Sequence, residues 1–145
     1  MRLTLHLDYA MRSLIFLAAH PNERIKTGQI SAAYGISKHH LVRVIQGLEK
    51  AGYVRLAHGR SGGIELARDP REIILGDVMR AMEPNMKLVE CFDLRTNTCP
   101  ILPVCKLKRV LKEASDAFVA SLAQYSLADV ATPRAALQKH LFVSS

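Results

Sequence analysis

The chain has 145 residues, of which 49% are hydrophobic, and its formal net charge is +7. This apolar content excludes a disordered chain and predicts one globular domain with a buried core. The longest apolar run near the start, SLIFLAA, is too short to span a bilayer, so we expect a cytoplasmic protein without membrane contact. Residues 1–63 contain nine basic and three acidic side chains, which indicates a polyanionic partner for this part.

The N-terminal third predicts three helices, of which the last two form a helix-turn-helix. The first helix begins at about Asp8 and ends at HPNE, because its apolar residues repeat at helical spacing. Within KTGQISAAYGISKHHLVRVIQGLEKAGYV, Gly35 permits the left-handed turn between two helices, and Ser37 can cap the second. The spacing of Ser31, Gly35 and Leu41 matches the close helix crossing of this motif.

The second helix of the motif separates an apolar face from a polar one. Its inward positions follow an i, i+3, i+4, i+7 pattern: Leu41, Val44, Ile45 and Leu48. Arg43 and Gln46, on the opposite face, can form paired hydrogen bonds with base edges, and the first turn of such a helix enters the major groove. The predicted DNA-contacting residues are Ser37, Lys38, His39, His40, Arg43, Gln46 and Lys50. The alternative is an ordinary solvated helix face.

A β-hairpin is predicted directly after this helix. Two short runs, residues 53–57 and 64–67, flank a glycine-rich tip that contains His58, Arg60 and Ser61. Glycines allow the backbone to approach a duplex closely, so Arg60 can reach the minor groove or the phosphates. The hairpin is therefore predicted to be a DNA-contacting wing, and a plain surface hairpin is the alternative.

A long helix is predicted near the C-terminus, after a short helix that ends at Pro84. It runs from Val104 to about Tyr125 and has one apolar stripe. The stripe consists of Leu107, Leu111, Ala114, Phe118, Leu122 and Tyr125. A second copy of the same helix is the expected partner, because helix-turn-helix proteins usually bind two half-sites as symmetric dimers. The alternative is that the helix folds back on its own domain.

All three cysteines lie in CFDLRTNTCPILPVCK, with the spacing C-x7-C-x5-C. Pro100 and Pro103 keep the intervening chain extended, so the three thiolates can converge on one point. An odd number of cysteines in a reducing compartment argues against a disulfide framework. Three thiolates suit an iron-sulfur cluster or zinc, each with a fourth ligand. The spacing alone leaves open a cluster, structural zinc and unligated redox thiols.

Five segments of the chain are similar to a known family: MRLTLHLDYAMRSLIFLA, YGISKHHLVRVIQGLEKAGYV, GRSGGIEL, LGDVMRAMEP and the three-cysteine loop. They resemble the NsrR type of nitric-oxide-sensing iron-sulfur repressor, in the family of regulators that also includes IscR. The resemblance covers nearly the whole chain. It implies a winged helix-turn-helix, a long dimerisation helix and a cluster held by Cys91, Cys99 and Cys105. The first cysteine spacing is longer than family members usually show, which affects the shape of the loop.

The fourth ligand distinguishes the two types of relative. IscR-like proteins have a histidine three residues after the third cysteine, where this chain has Lys108, and a charged lysine is a poor ligand. NsrR-like proteins have an aspartate near the N-terminus, which Asp8 matches. The resemblance implies that Asp8 reaches the cluster of the partner subunit, with 4Fe-4S favoured over 2Fe-2S. The alternatives are that Asp8 caps the first helix and that His6 is a substitute ligand.

These observations together predict a mainly α fold with a small β-hairpin. Residues 1–83 are the winged helix-turn-helix domain, 84–103 the cluster loop, and 104–145 the dimerisation helix with a C-terminal extension. The predicted protein is a homodimeric transcriptional repressor, controlled by nitric oxide, that binds a double-stranded DNA operator with two half-sites. The alternative is an iron-sulfur or redox-responsive regulator of cluster biogenesis or oxidative stress, without nitric oxide specificity. No enzyme motif is recognisable in the sequence, so an enzyme is not expected.

Overall fold

The computed structural model describes residues 2–141, which form seven α-helices and one two-stranded antiparallel sheet. The helices are α1 (Leu5–Ala19), α2 (Thr27–Tyr34), α3 (Lys38–Lys50), α4 (Leu75–Met82), α5 (Lys106–Leu122), α6 (Leu127–Val130) and α7 (Arg134–His140). The strands are β1 (Val54–Ala57) and β2 (Gly63–Leu66). Three short 3₁₀ helices lie at Pro70–Glu72, Glu90–Phe92 and Leu102–Val104. The predicted mainly α fold with a small hairpin is confirmed.

Helix α1 begins earlier than its apolar pattern suggested, because Thr4 is its N-cap. The Thr4 hydroxyl oxygen accepts a hydrogen bond from the backbone N–H of Leu7 at 3.2 Å. Asp8 lies one turn further on, where its negative charge is favourable near the positive end of the helix dipole. The alternative role of Asp8 as the helix cap is therefore wrong.

The core is continuous from the N-terminal helix to the C-terminal ones. Helix α1 packs against α3, α4, α6, α7 and β2, and Leu7 and Leu14 are fully buried at these contacts. Leu127 of α6 and Leu141 after α7 belong to the same hydrophobic cluster. The C-terminal segments therefore pack on α1, which itself packs on α3 of the helix-turn-helix, and the proposed division at residues 83 and 103 stays a prediction.

The turn between α2 and α3 has the geometry that its sequence predicts. Gly35 has φ +66°, a left-handed conformation that glycine adopts without a steric penalty. The Ser31 hydroxyl donates a hydrogen bond to the carbonyl of Ile36 at 2.6 Å, and the Ser37 hydroxyl accepts one from the N–H of His40 at 3.2 Å. These contacts fix the start of α3 relative to α2.

The predicted hairpin is present, with strands one residue away from their expected positions. Val54 pairs with Leu66 and Ala57 with Gly63, and α3 packs against β1. The wing is therefore fixed relative to α3 through the strand that follows that helix.

Helix α5 is shorter than predicted at both ends. Pro103 lies in a 3₁₀ turn, so the helix begins only after Cys105, which is its N-cap residue. Beyond its C-terminal end, the carbonyl of Tyr125 accepts a hydrogen bond from the N–H of Leu75 at 2.9 Å. A Cβ atom at Gly76 would lie 2.8 Å from the Ala123 side chain, so the absence of a side chain there permits close approach of α4 and the end of α5.

Candidate nucleic-acid interface and cysteine loop

One face of α3 is apolar and buried, and the other is exposed and basic. Leu41, Val44, Ile45 and Leu48 are buried, as the pattern predicts. The exposed candidate contact residues are Ser37, Lys38, His39, Arg43, Gln46 and Lys50. None of the ion pairs formed within residues 2–141 engages the cations of this face. These cations are therefore available for phosphates or bases.

His40 differs from the other candidates on α3 because its ring packs within the protein. It is half-buried, and its ring meets the ring of Tyr9 edge-on, with centroids 4.8 Å apart. The contact joins the first turn of α3 to α1. His40 therefore helps to orient the helix, whereas its neighbour His39 is exposed.

The wing tip, residues 58–62, exposes all three of its predicted contact residues: His58, Arg60 and Ser61. Its backbone depends on two glycines. Gly59 has φ +90°, and a Cβ atom at Gly62 would lie 2.2 Å from the carbonyl oxygen of Ala57. Only a residue without a side chain fits there, so the sharp turn that presents Arg60 requires glycine.

The three cysteines are free, half-buried thiols in a segment without α-helix. Cys91 lies in the 3₁₀ helix Glu90–Phe92, and Cys105 precedes α5. The backbone N–H of Cys99 donates to the side-chain oxygen of Asn97 at 3.2 Å. The thiols are therefore held by turns and short local contacts.

A hydrogen-bonded link connects the neighbours of Cys91 and Cys99. One carboxylate oxygen of Glu90 accepts bonds from the Thr98 backbone N–H at 2.5 Å and from the Thr98 hydroxyl at 2.7 Å. These two bonds lower the pKa of Glu90 below its usual value. The link joins the residues next to Cys91 and Cys99, so it closes the segment between these two cysteines into a loop.

Asp93, inside that loop, is the centre of a second set of contacts. Its carboxylate accepts hydrogen bonds from Lys87 at 2.5 Å and from the Arg95 side chain at 3.3 Å. The bonds from Lys87 and Arg95, including the Arg95 backbone N–H, lower the pKa of Asp93 to about 2. Asp93 is therefore ionised at neutral pH and holds the loop to the segment that precedes it.

The structure does not gather the predicted ligands into one group. Within residues 2–141, no three His, Cys, Asp or Glu side chains are arranged to hold a metal ion. The Asp8 carboxylate pairs with Arg12 of the next helical turn, at 2.8 and 3.1 Å. His6 lies against α3, where a Cβ atom at Gly47 would be 3.3 Å from its Nε2 atom. Lys108 lines a separate groove of about 710 Å³.

The exposed basic helix after a tight turn and the adjacent glycine-tipped hairpin define a winged helix-turn-helix DNA-binding protein. The Rrf2 family, described as iron-dependent transcriptional regulators, matches residues 3–133. The chain therefore belongs to the Rrf2 family, and it is a DNA-binding transcriptional regulator and not an enzyme. The resemblance recognised in the sequence is confirmed.

Two relatives and two solved structures support this assignment. The HTH-type transcriptional regulators NsrR of Bacillus subtilis and Geobacillus kaustophilus are 46% and 44% identical to it over 142 residues, 97% of each chain. The structure of CymR, the global cysteine regulator of B. subtilis, has a TM-score of 0.70 at 25% identity, covering 91% of this chain and 97% of that one. T. potens IscR has a TM-score of 0.73 at 23% identity, covering 100% and 94%, and shows the shared fold.

Sequence reasoning missed two pairs of residues near these sites. Arg24 and Lys26, before α2, donate hydrogen bonds to carbonyl oxygens of the wing tip. Glu90 and Thr98 close the cysteine loop. The basic charge of the N-terminal part included Arg24 and Lys26, but no periodic pattern pointed to their partners.

Within residues 2–141, no helix is both long and apolar enough to cross a membrane.

Proposed function

We propose that the protein is a dimeric repressor whose affinity for its operator is controlled by an iron-sulfur cluster that senses nitric oxide. The proposal is supported chiefly by three free thiols within residues 91–105 of a chain that is 43–46% identical to regulators named NsrR. As a regulator of transcription, the protein would act in the cytoplasm, where its DNA lies.

The donor set fits such a cluster. Cys91, Cys99 and Cys105 supply thiolates, the usual ligands of iron in these clusters, and none of them is used in a disulfide. Asp8 of the partner subunit would supply the fourth ligand, and its carboxylate is accessible, at 37% relative exposure of the side chain. When bound, the cluster would supply an iron atom whose oxygen ligand is weakly held. This iron would be open to reaction with nitric oxide. The preference for 4Fe-4S over 2Fe-2S is part of this proposal.

Two local changes would accompany binding. The cysteine loop would move from the conformation described above, which its short 3₁₀ helices permit more readily than a long α-helix would. Asp8 would exchange Arg12 for a ligand position on the other subunit. An exposed i, i+4 ion pair contributes only about 0.3–0.5 kcal/mol, so its loss is a small cost.

Because the ligands would come from both subunits, cluster binding would control how the two subunits are placed on DNA. With Asp8 from one subunit and the cysteines from the other, the two α3 helices would have a fixed separation. Half-sites one helical turn apart, about 34 Å, tolerate little misplacement of the recognition helices. Loss of the link between subunits would therefore reduce specific binding more than nonspecific binding.

The test is anaerobic purification of the full chain, followed by iron, sulfide and visible absorbance measurements. Binding would be measured on a duplex that the parent protein selects from a random-sequence pool, before and after addition of nitric oxide. We expect a coloured protein whose affinity falls on nitric oxide addition. Replacement of Cys91, Cys99 or Cys105 by Ala should abolish the chromophore and specific binding to the same extent. A colourless protein with unchanged affinity would contradict the proposal.

One observation favours a second candidate function. The three thiols are free, and none of them is used in a disulfide. A redox-responsive regulator would use such thiols in disulfide exchange, without a cluster and without nitric oxide specificity. An iron-free protein whose affinity for the selected duplex changes on thiol oxidation would establish this candidate instead.

A further inference from the structure

A short segment before α2 pairs with β2 of the wing, in the position of a third strand. Ile25 and Ile64 exchange two backbone hydrogen bonds, at 3.1 and 2.7 Å, and both side chains are almost fully buried. The close approach depends on Gly63, where a Cβ atom would lie 3.0 Å from the Arg24 side chain. The start of the helix-turn-helix and β2 are therefore in direct contact.

The residues on either side of Ile25 reach further, to the wing tip. An N–H of the Arg24 guanidinium donates to the carbonyl oxygen of Ser61 at 2.9 Å, and the Lys26 ammonium donates to the carbonyl of Gly62. Ion pairs formed within residues 2–141 engage neither cation. Hydrogen bonds from a charged donor are roughly twice as strong as neutral ones. Two such bonds therefore hold successive carbonyls of the tip.

Within the wing tip itself, one backbone hydrogen bond joins the Gly62 N–H to the Gly59 carbonyl at 3.0 Å. His58, Arg60 and Ser61 are exposed, so their side chains add no packing, and Gly59 gives the chain wide conformational freedom. A loop that is disordered before binding must be ordered on the duplex, which reduces affinity. A loop that is already fixed avoids this cost.

We propose that Arg24 and Lys26 are positioning residues that hold the wing tip, so that Arg60 meets the duplex from a fixed position. The inference deepens the proposed function and rests on its assignment of the wing to DNA contact. It gives the two cations a role that does not require them to touch DNA.

The first test uses the full chain without DNA and measures trypsin cleavage after Arg60, with products identified by mass. Loss of a charge-assisted hydrogen bond should raise the open population of the tip and speed this cleavage at least about fivefold in Arg24→Ala and Lys26→Ala. Arg24→Lys should restore part of the protection, because it keeps a charged donor. Arg134→Ala removes an exposed cation of α7 and is the control. Unchanged cleavage in both Ala variants would overturn the held tip.

The second test is a double-mutant cycle on the selected duplex. Arg24→Ala should reduce affinity about five- to tenfold in the parent and have almost no effect in an Arg60→Ala background, because Arg24 acts through the tip. An equal loss in both backgrounds would show that Arg24 contacts DNA itself, and would overturn its positioning role. If Arg60→Ala alone left affinity unchanged, the wing's part in the proposed function would fail, while the cleavage assay would still decide whether the tip is held.

Discussion

At the scale of single residues, the basic face of α3 contains side chains with different surroundings. Arg43 and Lys50 are exposed and free of ion pairs with other residues in the described range 2–141, whereas the ring of His40 packs against Tyr9. A guanidinium can bind two acceptors of one base, but an ammonium acts as a point charge that suits a phosphate. Arg43 and Lys50 should therefore contribute to DNA binding in different ways.

Replacement of each cation should separate sequence recognition from general attraction. Arg43→Ala should cost about 1–3 kcal/mol on the selected duplex and little on random DNA, because it removes a base contact. Lys50→Ala should weaken binding to both duplexes alike and lower the salt dependence of binding by about one phosphate contact. Fluorescence anisotropy over a range of salt concentrations measures both effects. Equal losses on both duplexes for Arg43→Ala would contradict base recognition.

Asp8 provides a second prediction at this scale. Asp8→Ala should leave a cluster bound by three cysteines but change its visible spectrum and its reaction with nitric oxide, because one ligand is lost. Anaerobic absorbance and stopped-flow kinetics measure these changes. Asp77→Ala is a matched control, since Asp77 is an exposed carboxylate paired with an arginine, Arg80, on α4. Identical spectra and rates for the parent and Asp8→Ala would direct the search for the fourth ligand to His6 or an added molecule.

At the scale of elements, the cysteine loop owes its shape to carboxylates. Glu90 holds Thr98, and Asp93 holds Lys87 and Arg95. In both cases hydrogen bonds lower the pKa, so the ionised form is the one that the folded loop favours. The stability that these ionised carboxylates give to the loop is present above the ordinary carboxyl pKa. It is lost as the pH falls through the lowered pKa values.

The cysteine loop should therefore open in acid and keep its conformation near neutral pH. We expect protection of the Thr98 amide against hydrogen exchange, corrected for the intrinsic rate, to be constant above the ordinary glutamate pKa and to fall as the pH is lowered below it. Glu90→Gln should lower this protection at neutral pH and remove most of its pH dependence. Glu113→Gln, on α5, is the control because Glu113 is an exposed carboxylate outside the loop. The same protection profile in Glu90→Gln would show that Glu90 does not close the loop.

In the molecule as a whole, the apolar stripe of α5 has a part that is packed against the core and a part that is exposed. Phe118 and Leu122 of the stripe pack against the chain's own core, whereas Leu107 of the stripe and the adjacent Val110, which lies outside the predicted stripe, are 60% and 52% exposed. The fold-back alternative is therefore correct for Phe118 and Leu122, while Tyr125 at the end of the stripe is 50% exposed. The exposed part, continued by Ala114 at helical spacing, remains available for a second copy of the helix.

Charged side chains on the exposed part of α5 should therefore separate the subunits without unfolding them. The double variant Leu107→Glu, Val110→Glu should sediment as a monomer, keep its thermal unfolding transition and bind the selected duplex at least about tenfold more weakly. Ala120→Glu places the same charge on another exposed side of α5 and should remain dimeric. A dimeric double variant with parental affinity would place the interface elsewhere.

The features of the protein that depend on local patterns were predictable from the residues alone. The buried face of α3, the turn at Gly35 and the cap at Ser37 all follow from residues within one or two helical turns of each other. The glycine-rich wing also follows from residues that are close in the chain. The exposed contact residues on α3 and the wing were likewise predictable as a surface, although their roles toward DNA stay predictions.

Contacts between residues that are far apart in the chain became known only from the folded arrangement of the helices and strands. Arg24 bonds to Ser61, and the core covers part of Phe118 but leaves Leu107 exposed. An apolar stripe has the same periodicity whether it faces its own core or a second chain, and a cation can bond to any nearby carbonyl. Their partners depend on how the helices and strands pack, because that packing alone sets the distances between residues far apart in sequence.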